Sequence, residues 1–159
     1  MQRAAEVSRQ ALALYPDDQE LLSAYGMALT AGGRGAQAVE YLIRALNAGA
    51  SDWRLINTLG VALEQSGRPE QARARFMEAL GLQPGEPAIM NNLALNLATQ
   101  GFLDESAEIL RKAQAVDPNR DEIERNLRIV TALQQAEGAP VPKPGKKPEA
   151  APPPEVQTN

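Results

Sequence analysis

Paired carboxylates are the side chains of this sequence best suited to general acid–base chemistry. They occur as Asp17 with Asp18 and as Asp104 with Glu105. The sequence has no histidine and no cysteine, so it lacks the side chain that titrates near neutral pH, the usual zinc ligands and a thiol nucleophile. Both pairs stand where helices are expected to begin, and negative charge there is stabilised by the helix dipole. We therefore interpret them as helix-start residues and predict a non-catalytic protein with no metal and no cofactor.

A glycine-rich patch, formed by Gly32, Gly33 and Gly35, is the feature nearest to a phosphate-binding loop. No predicted strand precedes it and no lysine–serine or lysine–threonine pair follows it, as phosphate loops require. The patch is therefore predicted to be a turn between helices. The formal net charge of −4 also excludes a general excess of basic residues, so nucleic acid is not an expected partner.

The positions of small and apolar residues define an internal repeat with a period of 34. The series that share this spacing are Ala11, Ala45, Ala79 and Ala113; Gly33, Gly67 and Gly101; Leu42, Phe76 and Leu110; and Ala4, Ala38, Ala72 and Ser106. A fixed period shared by several independent series indicates a repeated supersecondary unit.

Each repeat is predicted to contain two helices, as residues 53–86 show. Leu59 belongs to a first run of apolar residues at helical spacing, and Gly67 ends that run with the left-handed conformation that a helix end requires. Pro69 suits the first turn of a second helix. That helix places the large Phe76 beside the small Ala72, so neighbouring helices can approach closely.

These columns resemble the tetratricopeptide repeat (TPR). In residues 53–86 the matching positions are Leu59, Gly60, Ala72, Phe76, Ala79 and Pro84. The next repeat has Ala94 in place of the glycine, and residues 19–52 have Tyr25 before Gly26 and Ala50 in place of the proline. The resemblance implies an all-α fold, a right-handed superhelical stack of antiparallel helix pairs with a C-terminal capping helix.

The predicted organisation is a TPR domain over residues 1–136 followed by a disordered, proline-rich tail over 137–159. Within the domain we expect the second helix of an incomplete repeat (1–18), full repeats (19–52, 53–86 and 87–120) and a capping helix (121–136). The expected helices are 2–14, 18–31, 35–48, 53–66, 69–82, 87–99, 103–115 and 119–135. The first helix lacks its partner, so either residues are missing upstream or it is a natural cap. Glu124 and Arg128 give the last helix the polar back of a cap.

The first helix of each repeat lines the concave face in this family, which implies a partner-binding site there. The candidate residues are Arg54, Asn57, Thr58, Val61, Asn91, Asn92, Leu95, Arg125, Asn126 and Ile129. Asparagine amides can pair with both polar groups of an extended peptide backbone. The apolar series Met27, Val61, Leu95 and Ile129 suits a peptide with apolar anchors. The alternative is that the apolar residues belong to the core and that the asparagines face water or join neighbouring helices.

Residues 52–101 resemble more than the general repeat. An Asp-Trp pair at 52–53, a P-G-E-P segment at 84–87 and the run 91–93 are similar to the TadD family of repeat lipoproteins from bacterial tight-adherence (Flp) pilus assembly. The resemblance implies a protein partner from a pilus or secretion machine. It also implies a place in the periplasm or attached to the outer membrane, through a lipid anchor upstream of Met1 rather than through membrane contact by this chain.

Two alternatives stay open on the residues alone. One is a cytoplasmic TPR adaptor or chaperone unconnected with pili, since a chain without cysteine suits either compartment. The other is an accessory TPR domain of a larger enzyme.

Overall fold

The computed structural model describes residues 2–50 and 52–138, and within these residues the chain forms eight α-helices. They are α1 (Gln2–Leu12), α2 (Gln19–Ala31), α3 (Gly35–Asn47), α4 (Trp53–Gln65), α5 (Pro69–Leu82), α6 (Pro87–Thr99), α7 (Leu103–Val116) and α8 (Asp121–Gly138). The all-α prediction is confirmed, and the helix boundaries differ from expectation by three residues at most. The proline-rich tail beyond residue 138 lies outside the described residues.

Acidic residues begin the first helix of each complete repeat. Asp18, Asp52 and Glu86 precede α2, α4 and α6, and each accepts a hydrogen bond from a backbone N–H of the first turn, at 2.9, 3.0 and 3.3 Å respectively. A side-chain oxygen at this position satisfies a backbone donor that has no partner inside the helix. Asp17 does not share this role, because it forms an ion pair at 3.0 Å with Arg44 of α3.

The glycines that recur once in each repeat end these same helices. Gly33, Gly67 and Gly101 adopt φ values of +72°, +72° and +85°. The residue after each glycine donates its backbone N–H to the carbonyl five residues earlier, at 2.9, 3.0 and 3.0 Å. Only glycine adopts this left-handed turn without a steric penalty from Cβ. The patch at Gly32 and Gly33 is therefore a turn, as predicted.

Small residues in the first helices allow close packing of the second helices. A Cβ added to Gly26 would come within 2.7 Å of the Leu42 side chain, and one added to Gly60 would collide with the Phe76 ring. Ala94 and Leu110, both fully buried, occupy the equivalent places in the third repeat. The repeated small position therefore fixes the distance between the two helices of a pair.

The helices form two layers. Each first helix contacts the next first helix along the array, from α2 to α4, α6 and α8. Within the described residues, no Cα atom of α3, α5 or α7 comes within 8 Å of a Cα atom of another of these second helices. The first helices therefore make up the inner layer and the second helices the more widely spaced outer layer. Buried aliphatic side chains fill the space between the layers along the whole stack.

The last helix closes the stack. Ile123 and Val130 are buried and Leu127 is half-buried, whereas Glu124 and Arg128 are exposed and lie 3.8 Å apart. This arrangement covers the third repeat with apolar side chains and presents polar ones to water. None of the described helices combines the length and the apolar character needed to cross a membrane.

Candidate functional site

The predicted apolar series runs along the inner layer, with one residue on each first helix. Met27 on α2 and Ile129 on α8 are 39% and 52% exposed, while Val61 on α4 and Leu95 on α6 are half-buried. The series therefore belongs partly to the packing between first helices and partly to the open surface. Its accessible area is greatest at the two ends of the array.

The asparagines of this face form two hydrogen-bonded pairs between neighbouring first helices. The Asn92 amide nitrogen donates to the Asn57 amide oxygen at 3.1 Å, and the Asn126 amide nitrogen donates to the Asn91 amide oxygen at 2.7 Å. In each pair the two residues are 35 apart in sequence. We call these two interactions the amide clasps. These four asparagines therefore join neighbouring helices, which is one of the alternatives that the sequence left open.

Asn91 lies deeper than the other members of the clasps. It is only 3% exposed, and its amide nitrogen donates to Glu122 of α8 at 3.3 Å. Both the oxygen and the nitrogen of the Asn91 side chain therefore form hydrogen bonds within the protein. The structure places this predicted binding residue at the α6–α8 interface and not on the open inner surface.

The junction between α2 and α4 has no amide clasp. Its equivalent residues are Ser23 and Thr58, and each hydroxyl instead donates to a carbonyl of its own helix, at 2.8 and 2.7 Å. A cavity of about 570 Å³ opens at this junction. Its lining residues are Gln19, Glu20, Ser23, Ala24, Met27, Ala50, Asp52 and Leu55. The inner face is therefore joined by side chains in its C-terminal half and more open in its N-terminal half.

The two predicted arginines are both exposed. The Arg54 guanidinium lies 4.4 Å from the centre of the Trp53 ring and 3.7 Å from an Asp52 carboxylate oxygen. Stacking on an aromatic ring restrains the guanidinium while leaving it free to donate hydrogen bonds. Arg125 lies on α8, near the far end of the inner face. Arg54 therefore lies on the second of the four inner helices and Arg125 on the last.

Asn96 is a structural polar residue that the sequence prediction missed. It is fully buried, and its amide nitrogen donates to a Glu64 carboxylate oxygen at 2.5 Å and to the Pro69 carbonyl at 2.9 Å. It thereby ties α6 to both helices of the preceding pair. A polar residue at an otherwise apolar phase of a helix is the signal that identifies such a position.

The fold is that of a TPR solenoid. Residues 57–121 match the family described as "Tetratricopeptide repeat". No curated protein sequence matches this chain. Repeats of this class are typically protein-interaction modules, with neighbouring repeats creating an extended concave surface. Among the described residues, no group of acidic side chains is arranged to hold a metal ion.

Several solved structures share this fold. YrrB, a TPR protein described as having an unusual peptide-binding site, superposes with a TM-score of 0.69 at 22% identity, covering 84% of this chain and 69% of YrrB. A MamA structure gives 0.66 at 28% identity, with coverages of 74% and 69%. The TPR domain of Sgt2 from Aspergillus fumigatus gives 0.70 at 19% identity, with coverages of 84% and 90%.

Proposed function

We propose that this protein is a non-catalytic scaffold that binds a segment of another protein along the inner face of its first helices. The observation that carries the proposal is the apolar series on this face, which remains accessible at Met27 and Ile129. An exposed apolar series on a rigid concave surface provides anchor sites for the apolar side chains of a partner. The similarity to YrrB, which has a peptide-binding site, supports the proposal.

The amide clasps give this face a fixed polar pattern beside the apolar series. In the pair of Asn57 with Asn92, the Asn57 nitrogen and the Asn92 oxygen form no hydrogen bond within the described part of the chain. One donor and one acceptor held in place match the two polar groups of an extended peptide unit. Because the clasp already restrains both side chains, less conformational entropy is lost when a segment binds.

Site-specific photo-crosslinking tests this proposal. A photoreactive side chain is placed at Ile129 or Met27 in the full chain, which is then expressed in its native host and irradiated. Because both positions are partly exposed, the replacement leaves the core intact. A matched control carries the same group at Ile43, which is 41% exposed on the outer helix α3.

The expected result is one discrete crosslinked partner from the inner positions that is absent from the Ile43 control. An additional Asn57→Ala and Asn92→Ala replacement is expected to weaken that crosslink. The same partner captured with equal yield from Ile43, or no partner from either inner position, would contradict binding on the inner face.

We further propose that the partner is a component of a tight-adherence pilus or related secretion machine and that the protein acts in the bacterial periplasm or at the outer membrane. The support is the resemblance of residues 52–101 to the TadD family. Several of the shared residues also have a local role, because Asp52 and Glu86 begin helices and Pro87 occupies a first helical turn. A genetic test separates the proposed pilus role from these local roles.

Deletion of the gene in its native host is expected to abolish surface pili, and the intact gene is expected to restore them. A gene carrying Ile129→Glu is expected to restore them poorly while accumulating to the normal level. Normal piliation of the deletion strain would exclude the pilus role and leave the inner-face binding proposal standing, with the cytoplasmic adaptor as its alternative.

A further inference from the structure

The cavity at the α2–α4 junction belongs to the inner face. It has a volume of about 570 Å³, and Met27 of the apolar series forms part of its wall. Met27 is 39% exposed and the neighbouring Ala24 is also exposed, so the cavity opens to solvent beside the apolar series. A side chain of a segment bound along the inner face can therefore enter it.

Small side chains on α2 are the reason that this junction is open. Ser23 and Ala24 occupy two positions that carry larger polar residues on the next two inner helices, namely Asn57 and Thr58 on α4 and Asn91 and Asn92 on α6. The Ser23 hydroxyl donates to the Gln19 carbonyl of its own helix at 2.8 Å, so it does not bridge to α4 as Asn57 bridges to α6. The space across which an amide clasp extends at the later junctions is therefore open here.

The residues that line this cavity include two carboxylates and no basic side chain. Glu20 lies on α2 and Asp52 at the start of α4, so acidic groups come from both helices of the junction. The Arg54 guanidinium lies 3.7 Å from an Asp52 carboxylate oxygen and offsets part of that charge. Glu20 is exposed and forms no ion pair among the described residues. The cavity therefore keeps a net negative charge.

The amino-terminal ends of α2 and α4 contribute positive potential near the cavity, because each such end carries a partial charge of about half a unit. Asp18 and Asp52 each accept a backbone N–H at these ends, at 2.9 and 3.0 Å. A full negative charge therefore compensates each helix end. Glu20 is additional to these two residues, so its charge is available to a ligand.

The corresponding positions at the two later junctions differ in charge. One repeat further along, the residues equivalent to the two carboxylates are Arg54 and Glu86, one of each sign. In the following repeat they are Ala88 and Arg120, which together carry one positive charge. Among these three inner junctions, the one between α2 and α4 alone has acidic residues at both positions.

We propose that this cavity receives a lysine or arginine side chain of the partner segment. This inference rests on the inner-face binding proposed above and adds the chemical class of one anchor residue. The aliphatic stem of the side chain packs against Met27 and Ala24. Its charged group lies between the carboxylates of Glu20 and Asp52. Because the later junctions lack such an acidic pair, the basic residue fixes which end of the segment lies at α2.

Two neutral replacements remove the charge of this cavity and keep its shape. Glu20→Gln is similar in size, and Asp52→Asn keeps a side-chain oxygen that can begin α4. The matched control is Glu40→Gln with Asp104→Asn, which removes the same charge from exposed residues of the outer helices α3 and α7. Circular dichroism and urea denaturation check that both double variants fold like the unmodified chain.

Peptides selected from a displayed random library against the full chain serve as the probe. The expected peptides share a lysine or arginine and shift the NMR signals of Met27 and Ile129. Glu20→Gln with Asp52→Asn is expected to weaken their binding about three- to tenfold, as for the loss of two partly exposed charge contacts, whereas the control pair leaves it unchanged. Replacing the basic residue of the peptide with glutamine should cause a similar loss on the unmodified chain and little further loss on the cavity variant.

The outcomes separate this inference from the inner-face proposal. Peptides that shift the Met27 and Ile129 signals without sharing a basic residue, and that bind the cavity variant as well as the unmodified chain, would overturn the cationic anchor and leave inner-face binding standing. Peptides that shift only signals of the outer helices, or a selection that yields no binding peptide, would contradict both. An equal loss of binding with the control pair would indicate an effect of net charge and would also overturn the cationic anchor.

Discussion

Replacing Gly60 with alanine tests whether close helix approach, and not glycine itself, is what the repeated small position provides. Gly60 lies in the middle of α4, where its backbone is helical and needs no glycine. An added methyl group at this site would collide with the Phe76 ring of α5. The substitution therefore has two opposite effects on stability. Alanine favours the helical backbone more than glycine does, but its methyl group disturbs the packing against Phe76.

The sizes of these two free-energy terms decide whether Gly60→Ala stabilises or destabilises the protein. In an exposed helix interior, glycine to alanine stabilises by about 1 kcal/mol, because alanine loses less backbone entropy on folding. Forcing a methyl group into a closely packed core costs roughly 1–3 kcal/mol. Phe76 is 2% exposed, so its ring is enclosed by other side chains. We therefore expect Gly60→Ala to lower the free energy of unfolding by up to about 2 kcal/mol.

The chain offers a control position for this substitution and a second substitution that should compensate for it. Gly81 of α5 also has a helical backbone, but an added Cβ there meets nothing within 4 Å, so Gly81→Ala is expected to stabilise by up to about 1 kcal/mol. The third repeat combines Ala94 with Leu110 at the equivalent positions. The double variant Gly60→Ala with Phe76→Leu copies this solution. It is expected to lose less stability than the sum of its single variants by about 1 kcal/mol or more.

Urea denaturation followed by circular dichroism gives the free energies, and Trp53 fluorescence reports locally on α4. Coincidence of the two transitions checks that unfolding is cooperative, which repeat arrays do not always satisfy. If Gly60→Ala stabilised the protein as much as Gly81→Ala does, the contact with Phe76 would not be the reason for the glycine. Strict additivity in the double variant would lead to the same conclusion.

Two further predictions concern hydrogen bonds of known geometry. Asn91→Ala is expected to lower the free energy of unfolding by about 1–3 kcal/mol, because it removes two hydrogen bonds and leaves a cavity at a buried site. Asn57→Ala, at a half-buried site, is expected to cost less than about 1 kcal/mol. Equal costs in urea denaturation would contradict the difference in depth. The hydrogen bond from the Lys112 ammonium lowers the pKa of Glu108, so the stabilisation from this pair is present above the unfolded pKa and is lost as the pH falls through the lowered folded value. Lys112→Gln is expected to return the Glu108 pKa, measured by NMR titration, toward its ordinary value, and an unchanged pKa would show that the 2.6 Å contact is not formed in solution.

The helix pairs were predictable because their determinants are local and periodic. Gly67 ends α4 and Pro69 begins α5 within two residues of each other, and both act through the backbone conformation of their own turn. The same signals recur at equivalent positions of successive repeats, so each helix end is specified several times along the chain. An error at one helix end was limited to a few residues, as at α1, which stops at Leu12.

The candidate site was predicted only in part. The sequence identified which helix face carries Asn57, Asn91, Asn92 and Asn126, because position within the repeat fixes the face. It did not determine that these residues pair with one another, since each pair joins the sixth residue of one 34-residue unit to the fifth residue of the preceding unit, counted from residues 53, 87 and 121. That pairing depends on how far one helix pair is rotated and shifted relative to the next. For the same reason Asn91 is buried and Asn57 is only half-buried, although each is the fifth residue of its repeat.

The sequence by itself determined the number of helix pairs, their turns and the polar back of the last helix. Those properties follow from residue types within one repeat and from the period of 34. The tertiary structure alone decided which asparagines pair with one another, and that Asn96 donates hydrogen bonds to Glu64 and to the Pro69 carbonyl. These features arise between repeats, where small rotations of rigid helix pairs decide which side chains meet. No local sequence signal specifies those rotations, because they result from the packing of the whole stack.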